Sequence, residues 1–174
     1  MSKITKALAL SFALLVPAFA HAQVAGKIAV LDPEAAVLST DAAQKRLKEL
    51  AAQADFAKDK KEYERLAKEG QEMQKKLQKD SSIMSAEQKQ ASSKQLEDKA
   101  NDIEYLRRKL ANRQQEAVQG IMQDMQANFT KVVTDLIKSE NIGLLINKRA
   151  VMHADASYDI TSKVTEGLNK ANAQ

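Results

Sequence analysis

Residues 41–140 form a stretch of about a hundred positions with no proline and only two glycines, Gly70 and Gly120. Apolar residues recur there at steps of three and four, which is the spacing of one face of an α-helix. A polar segment at residues 79–85 interrupts the pattern near its centre. A narrow apolar stripe can cover a partner helix but cannot close a globular core. The sequence therefore predicts two long antiparallel helices, residues 41–136, paired as a coiled-coil hairpin with its tip near residues 80–85.

The two arms can be aligned by assuming that the chain reverses near residue 83, so that the numbers of facing residues sum to about 166. Apolar side chains then face one another along most of the hairpin: Tyr63 with Ile103, Leu66 with Ala100, Gly70 with Leu96, and Phe56 with Leu110. Toward the tip, Met73 and Leu77 face polar residues, so we expect the tip to be loosely packed. Asp41 with Gln44 and Ser85 with Gln88 are typical of helix starts.

Short apolar runs flank the hairpin and predict a small β-rich body made of residues 23–40 and 137–174. Three of these runs have strand character, at residues 27–31, 143–147 and 150–152. Asp32 and Pro33 predict the start of a short helix, and Asp159 is expected to cap a final helix whose apolar face includes Ile160, Val164 and Leu168. Elements this few and short cannot bury enough apolar surface alone. We therefore expect an oligomer that pools several copies into one body.

The first 22 residues have the organisation of a secretory signal peptide. Lys3 and Lys6 precede an apolar run, and small residues follow Pro17. Cleavage is expected near Ala22, with Ala20 as a second candidate site, and the alternative is an uncleaved membrane anchor. The pattern predicts export, and removal of the two lysines lowers the formal charge from +4 to +2.

Charge is concentrated on the predicted hairpin, where residues 58–113 carry fifteen Lys or Arg against eleven Asp or Glu. Mixed charge of this density usually marks a solvated helical face, but a basic surplus favours anionic partners. Nucleic acid is disfavoured by the export signal and by the near absence of aromatic residues for stacking bases.

No residues suggest catalysis. The chain has no cysteine and no glycine-rich phosphate loop, which excludes thiol chemistry, and beyond the signal segment it has one histidine, His153. Asp98, Asp102 and Glu104 lie close on one helix, but no neighbouring residues complete a metal site. We predict no enzyme activity, no metal and no cofactor.

The order of parts resembles the Skp/OmpH family of periplasmic chaperones. The resemblance rests on the signal peptide, the Lys27–Leu31 run, the long mixed-charge hairpin, the Gly143–Ile146 run and the closing segment that starts at Tyr158. It implies a periplasmic homotrimer whose small β-rich body carries helical tentacles, between which unfolded outer-membrane β-barrel proteins are held without ATP. The residues assigned by this likeness to the oligomer body are Ile28, Val30, Leu144 and Ile146.

Client contacts are expected on the hairpin, at Tyr63, Leu66, Met73, Leu77, Ile83, Met84, Leu96 and Ile103. The methionines near the tip suit a surface that must bind many unrelated apolar segments. The alternative is that these side chains only fill the seam between the two helices.

The family resemblance also implies contact with lipopolysaccharide or an anionic membrane surface through basic residues on the second arm. The matching positions are Lys99, Arg107, Arg108 and Lys109, and the alternative is an ordinary solvated charged face. The competing function for the whole chain is a structural coiled-coil spacer of the cell envelope.

Overall fold

The structure is a computed structural model and describes residues 26–172. In chain order it contains β1 (Lys27–Leu31), α1 (Pro33–Leu38), α2 (Asp41–Ala52), α3 (Ala54–Asp80), α4 (Ala86–Ser139), β2 (Ile142–Asn147) and α5 (Thr161–Asn172). The predicted fold class is confirmed: the chain is mainly helical, with a long hairpin and a small parallel sheet. The predicted signal peptide and its cleavage sites lie outside the described residues. The oligomeric state stays a prediction.

The hairpin pairs α3 with the first part of α4. Helix α4 has 54 residues, which corresponds to about 80 Å at 1.5 Å per residue. The predicted capping box at its start is confirmed, since the Ser85 hydroxyl accepts the Gln88 N–H and the Gln88 side chain accepts the Ser85 N–H. Both bonds satisfy donors that a helix start leaves without partners.

Three ion pairs between the arms show how the two helices are aligned. Lys99 bonds Glu69, Lys109 bonds Asp59, and Arg113 bonds Asp55, at 2.6, 2.7 and 2.8 Å. The residue numbers of each pair sum to 168, two more than the predicted value. Long cationic side chains reach along the helix, which accounts for an offset of this size.

The sequence pattern predicts that the first arm is a single helix, and this prediction is wrong. Gln53 has an extended backbone, with φ −60° and ψ 133°, and separates α2 from α3. The covered face of α2 includes Ala43 and Leu50, and a continuous helix would next turn Ala54 and Lys61 toward α4. The apolar positions of α3 instead begin at Phe56, two residues later.

The extended conformation of Gln53 therefore shifts the apolar positions by two residues, so that the apolar side chains of α3 face α4. The break contains no proline or glycine, and its polar groups are bound by the opposite arm. Arg113 donates to the Gln53 side-chain oxygen at 2.7 Å and to the Asp55 carboxylate at 2.8 Å. Asp55 also accepts the Phe56 N–H at 2.9 Å, which satisfies a donor freed by the break.

Helix α2 is capped by Thr40 and not by Asp41, so the predicted cap is wrong by one residue. The Thr40 hydroxyl donates to the Val37 carbonyl at 2.7 Å and accepts the Ala43 N–H at 3.3 Å. Thr40 is fully buried. A buried hydroxyl needs such partners, whereas Asp41 remains in solvent.

The sheet has two parallel strands, and the third predicted strand, residues 150–152, is absent from the described part of the chain. Lys148–Ala150 is instead a single 3-10 turn. The Asn147 side chain accepts the Arg149 N–H at 2.9 Å and turns the chain out of the sheet. The Arg149 guanidinium then bonds Asp32 and Glu34, which fixes the turn against α1.

The core lies where α1, α2, α5 and the second half of α4 meet the inner face of the sheet. Its members share almost complete burial, and they include Ala36, Val37, Ala43, Ile121, Val164 and Leu168. Ile160, Val164 and Leu168 are buried together, as predicted for α5. Asp159 accepts the Thr161 N–H at 2.9 Å and so binds the start of α5, while Asp32 caps α1 through the Ala35 N–H. This core anchors the hairpin at one end only.

Candidate functional site

The tip of the hairpin contains an open cleft of about 580 Å³ between the last turns of α3 and the first turns of α4. Met73, Leu77, Ile83 and Met84 supply its apolar lining. The Ile83 side chain is 83% exposed. The N–H groups of Ile83 and Met84 both donate to the Asp80 carbonyl, which holds the turn closed while these side chains stay at the surface.

Polar side chains line the other half of this cleft: Lys76, Asp80, Gln88, Ser92 and Gln95. Ala91 is the apolar residue that α4 contributes, so the α4 side of the cleft is mostly polar. Four of the eight predicted client-contact residues are thus brought together at one open surface.

The other four predicted client-contact residues lie along the seam between α3 and α4. Leu66 is 7% exposed, and Tyr63, Leu96 and Ile103 are half-buried. Ile103 reaches Gly70, where an added Cβ would lie 3.6 Å from its Cδ1 atom. These side chains pack the hairpin, so their buried surfaces become available to a ligand only where the helices separate.

All four basic residues predicted to bind anions form ion pairs with carboxylates. Lys99 bonds Glu69, Arg107 and Arg108 share Glu104, and Lys109 bonds Asp59. The hydrogen bond from Lys99, followed by that from Arg65, lowers the pKa of the Glu69 carboxyl. The bond from Arg107 likewise lowers the pKa of Glu104, and the bond to Asp59 raises the pKa of Lys109. An anion at this surface must compete with carboxylates that are already in place.

The four residues predicted for the oligomer body pair directly across the two strands. Ile28 lies opposite Leu144, and Val30 lies opposite Ile146. Val30 is buried, Ile146 is half-buried, and Ile28 and Leu144 are each 50% exposed. One face of the sheet thus joins the core through Ala29 and Leu31, while the other presents apolar side chains at its edge.

Sequence reasoning missed a second apolar cleft, of about 370 Å³, beside the break at Gln53. It is lined mainly by Leu47, Leu50, Phe56, Tyr63 and Leu110. The two-residue shift in the apolar pattern between Leu50 and Phe56 was the available signal, because a shift of the seam opens a gap where the two frames meet.

The described residues contain no group of three potential metal ligands. His153 is exposed, and its Nε2 atom lies 3.2 Å from the Asp155 carboxylate. Among residues 26–172, no helix combines the length and apolar character that crossing a membrane requires.

The fold and its open tip together define an elongated helical hairpin protein that presents an apolar cleft far from its core. A sequence model of the family described as outer membrane protein (OmpH-like) matches residues 27–168. The chain belongs to this OmpH family.

Two examples show the similarity of this chain to individual proteins. A Skp-like protein from Pseudomonas aeruginosa is 25% identical over 170 residues, which cover 98% of this chain and 99% of that protein. The crystal structure of a candidate outer membrane chaperone (OmpH-like) from Caulobacter crescentus aligns with a TM-score of 0.44 and 21% identity. That alignment covers 84% of this chain and 85% of the other.

Proposed function

We propose that this protein is an ATP-independent holdase chaperone of the periplasm that keeps unfolded outer-membrane β-barrel proteins soluble and delivers them for assembly. The observation that carries this proposal is the open apolar cleft at the tip, with Ile83 83% exposed. Membership of the OmpH family and the names of the two similar proteins support it.

The chemistry of the cleft fits weak and promiscuous binding. Met73 and Met84 are unbranched and polarisable, so they adapt to ligands of different shape. Because half of the cleft is polar, part of any apolar ligand stays in contact with water, which keeps binding reversible. Release then needs no nucleotide, because a client that folds buries its own apolar surface elsewhere.

The decisive experiment measures aggregation of a denatured outer-membrane barrel protein diluted into buffer with a stoichiometric amount of this protein and no nucleotide. The double variant Met73→Ser, Met84→Ser should suppress aggregation several-fold less well than the parent. Met152→Ser is the matched control, because it removes a fully exposed methionine from the other end of the molecule. If the parent does not delay aggregation, the chaperone function is wrong and the structural spacer becomes the better assignment.

We further propose that the exposed sheet face joins copies of the chain into a trimer. Leu144→Asp should dissociate the assembly, because it places a charge on this apolar face at a residue that is 50% exposed in one copy. Tyr105→Asp is the control, since Tyr105 is 58% exposed on α4 within the hairpin. Light scattering of both variants gives the mass directly. Dissociation by the tyrosine variant alone would place the interface on the arms.

A further inference from the structure

Helix α3 carries a second regular pattern on the side away from the apolar seam. Positions 58, 61, 65, 68, 72, 75 and 79 follow steps of three and four, and six of the seven are Lys or Arg. At 100° per residue, this row lies about 150° around the helix from Leu66 and Gly70. It extends for about 30 Å along an uninterrupted helix.

The lysines of this row differ from the cations at residues 99–113 of the facing helix α4. Among residues 26–172, no carboxylate lies within ion-pair distance of the five exposed lysines of the row: Lys58, Lys61, Lys68, Lys75 and Lys79. In contrast, Lys99, Arg107, Arg108, Lys109 and Arg113 on α4 each bond a carboxylate. Arg65, within the row, is held by Glu62 and Glu69.

This arrangement opposes the stability of the free helix. Like charges at steps of three and four repel each other, and Lys58 with Lys61 and Lys75 with Lys79 are such pairs. Asp55, Glu62 and Glu64 lie at such steps from lysines of the row, but they bond Arg113, Arg65 and Lys60 instead. The row is therefore a linear cationic surface, and an anionic partner would reduce the repulsion between its lysines.

We propose that this lysine row, defined as Lys58, Lys61, Lys68, Lys75 and Lys79, is a docking surface for an extended acidic polypeptide segment. Lys61, Lys68 and Lys75 are seven residues apart, which separates them by about 10 Å along the helix. Three residues of a polyproline II segment span about the same distance, at about 3.1 Å each, and complete one turn, so every third side chain lies on the same side. A carboxylate at every third residue of a segment in this extended conformation can therefore meet successive lysines of the row.

The neighbouring side chains favour a polypeptide over other polyanions. Gln71, Glu72, Gln74 and Gln78 accompany the row, and it contains no apolar residue that would enter a lipid bilayer. The aromatic residues of α3, Phe56 and Tyr63, lie on the seam side, so the row offers no platform for stacking bases. The surface is distinct from the tip cleft and does not depend on the chaperone proposal.

The test compares two triple variants of equal net charge in the full chain. Lys61→Gln, Lys68→Gln, Lys75→Gln removes the centre of the row. Lys48→Gln, Lys89→Gln, Lys94→Gln removes three exposed lysines outside it, none of which is ion-paired within the described residues. The probe is a fluorescent peptide of about twelve residues that repeats Asp-Ser-Gly, so that in a polyproline II conformation its carboxylates are spaced by about 9 Å on one side.

The row variant should bind this peptide about tenfold more weakly than the parent at low salt, and the control variant should lose less than about threefold. Parent affinity should also fall steeply as salt rises. Equal losses in both variants would show that only net charge matters and would overturn the proposal. So would a row variant that loses binding to phosphatidylglycerol vesicles but not to the peptide, which would assign the surface to a membrane. Neither readout involves client aggregation, so failure here leaves the chaperone proposal to its own test.

Discussion

The two ends of this molecule are stabilised in different ways. At the root, α1, α5 and α4 bury Val37, Ile121, Val164 and Leu168 almost completely. Along the hairpin, Leu66 and Leu106 are the residues of α3 and the paired part of α4 that reach comparable burial, at 7% exposure each. The ion pairs that connect the arms are partly exposed to solvent.

Because of this difference, the root keeps its structure while the hairpin can open locally. A two-helix seam open on both sides removes little apolar surface from water, so its stability per residue is low. Local opening free energies are lowest in such regions. The tip cleft lies at the end of the molecule that can reshape at the smallest cost, while the core keeps the two arms anchored.

The largest expected effect tests the root. Leu168→Ala removes a fully buried side chain from the core and should lower the free energy of unfolding by about 3 kcal/mol. Leu66→Ala in the seam should cost about 1.5 kcal/mol, because the two helices can close over part of the space. Urea unfolding followed by circular dichroism measures both. Equal costs would mean that the hairpin is packed as well as the core.

The sequence was sufficient to predict the hairpin, the Ser85 capping box and the buried face of α5, since each follows from local spacing. It was insufficient at residues 150–152, whose apolar composition resembles a strand. The Asn147 side chain turns the chain out of the sheet there, and Arg149 then fixes the turn by bonding Asp32 and Glu34, more than a hundred residues earlier in the chain. Such a distant partner leaves no local pattern.

The break at Gln53 lies between these two cases. The two-residue shift in the apolar stripe was visible, but alanines at 51, 52 and 54 favour a continuous helix. The extended conformation prevails because it brings Phe56 and Leu66 to α4 and because Arg113 binds the polar groups that the break exposes. At the tip, the residues could be named from their mismatched partners, whereas the cleft required the geometry of the turn.

Two glycine substitutions should change the stability of the protein by intermediate amounts and in opposite directions. A Cβ added at Gly167 on α5 would lie 2.6 Å from Cγ1 of Val132 on α4, so Gly167→Ala should destabilise the protein by about 1–2 kcal/mol. Gly120→Ala is matched to it, because that helical glycine has no atom within 4 Å of an added Cβ. It should stabilise by about 0.5–1 kcal/mol. Thermal unfolding distinguishes the two signs, and a stabilising Gly167→Ala would show that the helices separate easily at the root.

The smallest expected effect is that of low pH, and it tests whether the arms lose their structure before the core does. Hydrogen bonds from Arg113, Lys99 and Arg107 lower the pKa values of Asp55, Glu69 and Glu104, respectively. A carboxyl group with a lowered folded-state pKa contributes stability that is complete above its unfolded value, 4.5 for glutamate, and is lost as the pH falls through the folded value.

Amide hydrogen exchange should therefore show α3 and the paired part of α4 losing protection as the pH falls below about 4.5, while α5 remains protected by its apolar core. Glu69→Gln should reproduce part of this loss at about pH 6, since it removes the acceptor of Lys99 and Arg65 without acid. Glu97→Gln is the control, because Glu97 is exposed and forms no ion pair within residues 26–172. Protection lost first in α5 would reverse the order of stability, because Asp32 and Asp159 at the root also have lowered pKa values and would then dominate.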